Sequence, residues 1–279
     1  MELNNEILII GPPKSAKTTF LAQLYGRLLE RNGKIIIHGA PKNIEGIKDA
    51  YNRLSEGLEP QTTPANANLE VEIPVKLDER QFVLRAKDYG GEQVRDITKL
   101  MEYDSTWAGR AKSHDRWIMF IRPAEIYHHY DISMKGFAEQ ESQDEAKPEN
   151  LPENRLSDQA KFIELLQILL HARKSGIKDR LKSPKLIIAL TCWDELNTND
   201  SPTEVLQTKL PLLYQFIKSN WDEKSNLIMG VSAQEFPLKT EEARQRYLEE
   251  LPESFGYLVF DDNEQERDLT MLIETSINQ

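Results

Sequence analysis

The densest chemistry in the sequence stands near its start, where "GPPKSAKT" (11–18) puts Lys17 and Thr18 at the end of a loop opened by Gly11. The run fits G-x-x-x-x-G-K-[ST] except that Ala16 stands in the second glycine's place. That spacing suits phosphate. Backbone N–H groups along Gly11, Lys14, Ser15 and Ala16, with the helix start at Lys17 to Thr19, surround an anion. Lys17 then reaches the β and γ phosphates of a nucleotide triphosphate, and the Thr18 hydroxyl takes Mg2+. An ordinary strand-to-helix turn shares this context, so the loop acquires its meaning from the motifs downstream of it.

Downstream, "AKDYGGEQ" (86–93) succeeds a strand-like run and sets Asp88 at a strand end with Gly91 three residues on. A carboxylate there holds the Mg2+ shell, and a glycine N–H senses a γ phosphate. Between the two motifs lies "LEPQTTPANAN" (58–68), whose adjacent threonines suit a loop that ligates Mg2+ only while the γ phosphate is present. Thr63 is the expected ligand and Thr62 its alternative. After the apolar run "KLIIAL" comes "TCWDEL" (191–196), so Asp194 stands just beyond a buried strand. A carboxylate in that position accepts from the ring N–H and the exocyclic amine of guanine, a donor pair that adenine lacks. Another strand, "LIMGVSAQ" (227–234), ends in Ser232 and Ala233, whose small side chains let backbone N–H groups reach the guanine O6.

These residues need strand ends to hold them, and the sequence supplies such ends. Apolar, β-branched runs recur at 6–10, 34–38, 69–75, 82–88, 116–121, 185–190 and 226–231, with helical patterns at 18–31, 44–54, 158–176, 210–219 and 240–251. Alternation of strand and helix implies an α/β fold, a mostly parallel sheet with helices on both faces. The runs at 69–75 and 82–88 are joined by too short a link for a crossover helix and should pair antiparallel. The chain has 279 residues, enough for one elaborated domain spanning 1–279, with an acidic surface insertion at 139–153 and a C-terminal extension at 238–279. Its 46 acidic against 35 basic residues give a net charge of -11, which argues against nucleic acid or an anionic membrane as partner. One cysteine, Cys192, excludes an internal disulfide, and no apolar run approaches the roughly 20 residues of a membrane span, so a cytoplasmic protein is expected. His128 and His129 lack the i, i+4 spacing that puts two metal ligands on one helix face.

Taken in order, "GPPKSAKT", "TT", "DYGG", "TCWD" and "VSA" resemble the five boxes of the Ras-like, translation-factor-related GTPase class, over residues from about 6 to about 236. The extra helix before the threonines, "GLEPQTTP" and the tail "GYLVFDDNEQERDLTMLI" look like the bacterial double-GTPase group, whose members occur as paired GTPases in conflict or defence systems. The resemblance implies a three-layer P-loop NTPase fold, mostly parallel with one antiparallel strand, and GTP/GDP with Mg2+ as cofactors. It puts Lys17 and Thr18 on phosphate and metal, Thr63 and Asp88 on the Mg2+ shell, Gly91 on the γ phosphate, and Asp194 on guanine. It also implies a protein partner, either a second GTPase encoded nearby or another copy of this chain.

The sequence departs from the family pattern in three places. Ala16 replaces a glycine. Thr191 and Cys192 stand where the family has an asparagine and a lysine whose stem lies along the base. Glu92 comes directly after Gly91, where Ras-like enzymes carry the glutamine that orients the attacking water; an ionised carboxylate cannot donate a hydrogen bond, and it adds charge beside a phosphate. Unaided hydrolysis should therefore be slow. Gln93 serves if the loop shifts by one residue, and an arginine from a partner or from Arg95 or Arg110 would compensate. The residues support three readings: a slow GTP-hydrolysing switch working through the 60–66 and 88–96 loops, a non-hydrolysing nucleotide-bound scaffold, and a P-loop kinase. A kinase would carry an arginine-rich lid, whereas the 139–153 segment is acidic.

Overall fold

The computed structural model describes residues 7–12, 14–30, 33–61, 70–87, 109, 112–127, 157–174 and 179–279. Its strands are β1 (Ile7–Ile10), β2 (Ile35–Ile37), β3 (Glu70–Leu77), β4 (Arg80–Lys87), β5 (Arg116–Ile121), β6 (Lys185–Thr191), β7 (Asn226–Ser232), β8 (Tyr257–Val259) and β9 (Gln265–Glu266). Its helices, numbered among the described residues, are α1 (Lys17–Glu30), α2 (Glu45–Ser55), α3 (Asp158–Arg173), α4 (Pro202–Lys209), α5 (Pro211–Asn220), α6 (Glu241–Glu250) and α7 (Thr270–Asn278).

The continuous apolar runs form the centre of the molecule. β1, β5, β6 and β7 pair side by side, all parallel, in a sheet of order β1-β5-β6-β7-β8-β9. Successive residues point to opposite faces, so each run feeds two cores. Leu8, Ile10, Trp117, Met119, Leu186 and Ile188 face α3, α4 and α5. Ile7, Ile9, Ile118, Phe120, Ile187 and Ala189 face α1 and α7. This is the α/β arrangement expected from the alternation of elements, a mostly parallel sheet with helices on both faces.

The two runs without a crossover helix do form an antiparallel hairpin, paired from Glu70 opposite Lys87 to Leu77 opposite Arg80. Asp78 opens its two-residue turn with φ of 52°, a left-handed conformation that aspartate tolerates better than most residues. β2 pairs antiparallel to β3 in this three-stranded sheet and does not join the parallel one. The hairpin packs with β4 alongside β1.

The C-terminal segment adds more than the sequence patterns indicate. β8 pairs antiparallel with β7, and β9 antiparallel with β8, extending the parallel sheet at its far edge. α6, running from an N-cap at Thr240, packs against α2, and its Tyr247 stacks on Phe255 with ring centroids 4.1 Å apart. α4 starts at a capping box in which Ser201 accepts from the Glu204 N–H and the Glu204 carboxylate accepts from the Ser201 N–H, with Pro202 at the first helical position. Among the described residues no helix is long and apolar enough to cross a membrane.

Candidate functional site

The phosphate loop is shaped by close approach and by backbone handedness. A Cβ on Gly11 would stand 2.6 Å from the Phe120 carbonyl oxygen and 2.8 Å from Ser15 Oγ, so only glycine lets the loop leave β1 against the end of β5. Lys14 has φ of 61° and Ala16 φ of 59°, with Ser15 between them in the ordinary right-handed half of φ space. Alternating handedness of this kind turns successive N–H groups toward one point, the arrangement that cradles anions. Ala16 holds the left-handed conformation a glycine would adopt freely, at a cost of about 1 kcal/mol. Its carbonyl already accepts the first helical bond, from Phe20 N at 3.0 Å. The alanine thus changes the strain of the loop and not its path.

Lys17 is buried at 5% exposure. Its Nζ donates to the carbonyls of Gly11 at 3.2 Å and Pro12 at 3.0 Å and to Ser15 Oγ at 3.3 Å. Ser15 Oγ in turn donates to Pro12 O at 2.9 Å. The ammonium is therefore centred in the loop, held by acceptors that phosphate oxygens can replace. Thr18 and Thr19 come next in the first turn of α1, Thr19 half-buried. A threonine hydroxyl is a hard oxygen donor of the kind Mg2+ takes.

The second half of the site lies beyond β6. Thr191, at 1% exposure, ties the strand end to its neighbour by donating from Oγ1 to the Ile121 carbonyl at 3.1 Å. Cys192 then turns left-handed with φ of 50°, and Trp193–Glu195 form a short 3-10 turn. Trp193 is buried against Gly230 of β7, where a Cβ would stand 2.6 Å from the indole. The next residue, Asp194, accepts from Ser232 Oγ at 2.5 Å, and Ser232 Oγ accepts from the Glu235 N–H at 3.0 Å. Burial pushes the Asp194 carboxyl above the usual carboxylate range, and the Ser232 bond opposes that rise. Burial likewise drives the Cys192 thiol up to about 12, with Arg122 pulling the other way. Ala233 is buried directly after Ser232.

Sequence reasoning misses Arg122, which stands one residue after β5. It forms a two-point pair with Glu195, from Nε at 2.9 Å and Nη2 at 2.6 Å, and a further pair with Glu125 at 2.9 Å. These bonds raise its pKa and pin the Asp194 turn to the β5 end. Its place directly after an apolar strand is the only signal the sequence offers.

Gly11, Asp194 and Ser232 all lie at the carboxyl ends of parallel strands of one sheet. This is the edge where open α/β sheets take their ligands. With β5 between β1 and β6, the loop and Asp194 are two strand spacings apart, roughly 10 Å, the scale of a nucleotide. β4 ends at Lys87, immediately before Asp88. Thr62, Thr63, Asp88, Gly91, Glu92, Gln93, Arg95, Arg110 and the 139–153 segment lie outside the described residues.

A family model described as Double-GTPase 1 matches residues 8–276. The chain belongs to the Double-GTPase 1 family. The resemblance to the double-GTPase group is borne out by this match. In this member of the family, Lys17 and Asp194 stand at the two ends of the candidate site. Among solved structures, one titled Structure of methanosarcina barkeri Roco2 RocCORdC bound to GDP is similar at 15% identity with a TM-score of 0.35. The alignment covers 88% of this chain and 48% of that one, so this chain spans about half its length. No curated protein matches the sequence.

Proposed function

We propose that this protein binds GTP with Mg2+, hydrolyses it slowly, and works as a switch whose 60–66 and 88–96 loops present a nucleotide-dependent surface to a protein partner. The observation that carries the reading is the joining of the Lys17 loop and the Ser232-bound Asp194 on one sheet edge. Lys17 exchanges its bonds to Gly11 and Pro12 for β and γ phosphate oxygens, while Asp194 accepts from the two guanine donors. Thr18, Thr63 and Asp88 are the residues that would hold Mg2+. The ion would neutralise charge developing on the phosphates. The partner is a second GTPase of the paired arrangement or another copy of this chain, in a cytoplasmic defence role.

Slow turnover is the consequence of Glu92, which brings a carboxylate where a donor to the attacking water is wanted. The same residue favours the second reading, a nucleotide-bound scaffold with no hydrolysis. Single-turnover GTP hydrolysis, with and without a candidate partner GTPase, separates the two. A measurable rate abolished by Lys17→Ala is expected. No turnover under either condition would leave the scaffold.

A further inference from the structure

The four residues of the base loop, Ser232 to Glu235, each meet the C-terminal segment. The β7–β8 register sets Ser232 directly opposite Tyr257. Opposed residues of an antiparallel pair project from the same face of the sheet, so the two side chains are neighbours. Gly256, with φ of 97°, runs so close that a Cβ would stand 2.9 Å from the Ala233 carbonyl and 3.0 Å from that of Ser232. The Tyr247 hydroxyl donates to the Gln234 carbonyl at 2.7 Å. Arg267 Nη1 lies 3.0 Å from Glu235 Oε1.

The hydrogen-bonding capacity of Ser232 explains the effect of this contact. A serine hydroxyl has one proton to donate and two lone pairs to accept with. The proton goes to Asp194 and one lone pair takes the Glu235 N–H. The remaining lone pair is open to the hydroxyl of Tyr257, the residue directly opposite Ser232; burial, then the charges of Asp194 and Glu235, push that hydroxyl's pKa up, and Ser232 opposes the rise. A donor at that lone pair leaves the serine proton only one direction, toward Asp194.

We propose that Tyr257, supplied by the C-terminal segment, is a positioning residue for base recognition: through Ser232 it holds the Asp194 carboxylate in its guanine-accepting orientation. The proposal rests on Asp194 as the guanine acceptor. Cys192 is a short thiol where the family places a lysine, so it offers no stem along the base. The C-terminal strand then provides the ordering from the other side of the turn.

The test is calorimetric titration of the full chain with GDP and with ADP in Mg2+ buffer. Tyr257→Phe keeps the ring, which packs against the α3–α5 core, and removes only the hydroxyl. Its GDP affinity is expected to fall about tenfold while ADP affinity stays within about twofold. Ser232→Ala and the double variant complete a cycle: if Tyr257 acts through Ser232, the double variant binds GDP no more weakly than Ser232→Ala alone. An unchanged GDP-to-ADP ratio, an equal loss for both nucleotides, or additive losses would each overturn the proposal. A wild-type protein that binds GDP and ADP equally would instead overturn the guanine reading of Asp194, whatever Tyr257 does.

Discussion

At the scale of single residues, the site is defined by side chains held away from their ordinary protonation or backbone state. Ala16 sits left-handed because the phosphate loop must alternate its handedness to converge its N–H groups. Gly11 and Lys17, both fixed by the neighbouring strand end and loop carbonyls, keep that path despite the Cβ. Cys192 is the more testable case. Burial raises its thiol to about 12, so the thiolate, the reactive form, accumulates only as the pH climbs toward that value. At pH 8 the native protein should therefore react with iodoacetamide at least about a hundredfold more slowly than the urea-unfolded chain, whose thiol titrates near its ordinary value. Time-resolved mass spectrometry of the carbamidomethyl product gives the two rates, and equal rates would contradict the environment described.

At the scale of elements, the base turn depends on how β6 and β7 fit each other. Gly230 leaves room for the Trp193 indole to lie against β7, and that packing fixes where the next residue, Asp194, projects. Gly230→Ala inserts a methyl 2.6 Å from the ring and also against Val259 of β8. Overpacking of this kind costs about 2 kcal/mol. A lower midpoint in urea unfolding, together with GDP affinity reduced more than ADP affinity, is the expected result; a stability loss with both affinities intact would detach Trp193 from base recognition. The strands that carry this chemistry are legible in the sequence because "KLIIAL" and "LIMGV" are continuous apolar runs buried on both faces, and "TCWD" and "VSA" begin where those runs stop. β8 and β9 are not legible: three and two residues are too few to show a period, and their place is set by pairing with β7. α7 is missed for a related reason, since its apolar side faces β5 and β6 over only nine residues. The capping box at Ser201 and Glu204, with Pro202 at the first helical position, is the local signal that announces α4. Arg122 and Tyr257 escape because their roles arise only where strand ends and strand neighbours meet.

At the scale of the whole molecule, the phosphate end and the base end are joined through the C-terminal segment as well as through the sheet. α1 begins at the phosphate loop and carries Arg27 about three turns along, at 4% exposure. Arg27 Nη2 donates to the carbonyls of Phe255 at 2.5 Å, Gly256 at 3.4 Å and Arg267 at 3.2 Å, the residues that flank the β8–β9 pair. About one turn nearer the loop, Gln23 donates from Nε2 to the Tyr247 hydroxyl at 3.2 Å, and that hydroxyl donates to Gln234 of the base loop. Burial lowers the Arg27 pKa to about 10, so the guanidinium stays charged at neutral pH and its removal strips three carbonyls, those of Phe255 and Gly256 buried, of a charged donor. Arg27→Ala should cost roughly 3 kcal/mol in urea unfolding. Arg180→Ala, which breaks a 4.0 Å pair with the largely exposed Glu223, should cost under about 0.5 kcal/mol. If the two variants unfold at the same midpoint, the C-terminal segment is an appendage on a self-sufficient core; a large difference means that the segment is part of the folded core through its docking on α1, and truncation before residue 238 should then abolish GDP binding together with stability.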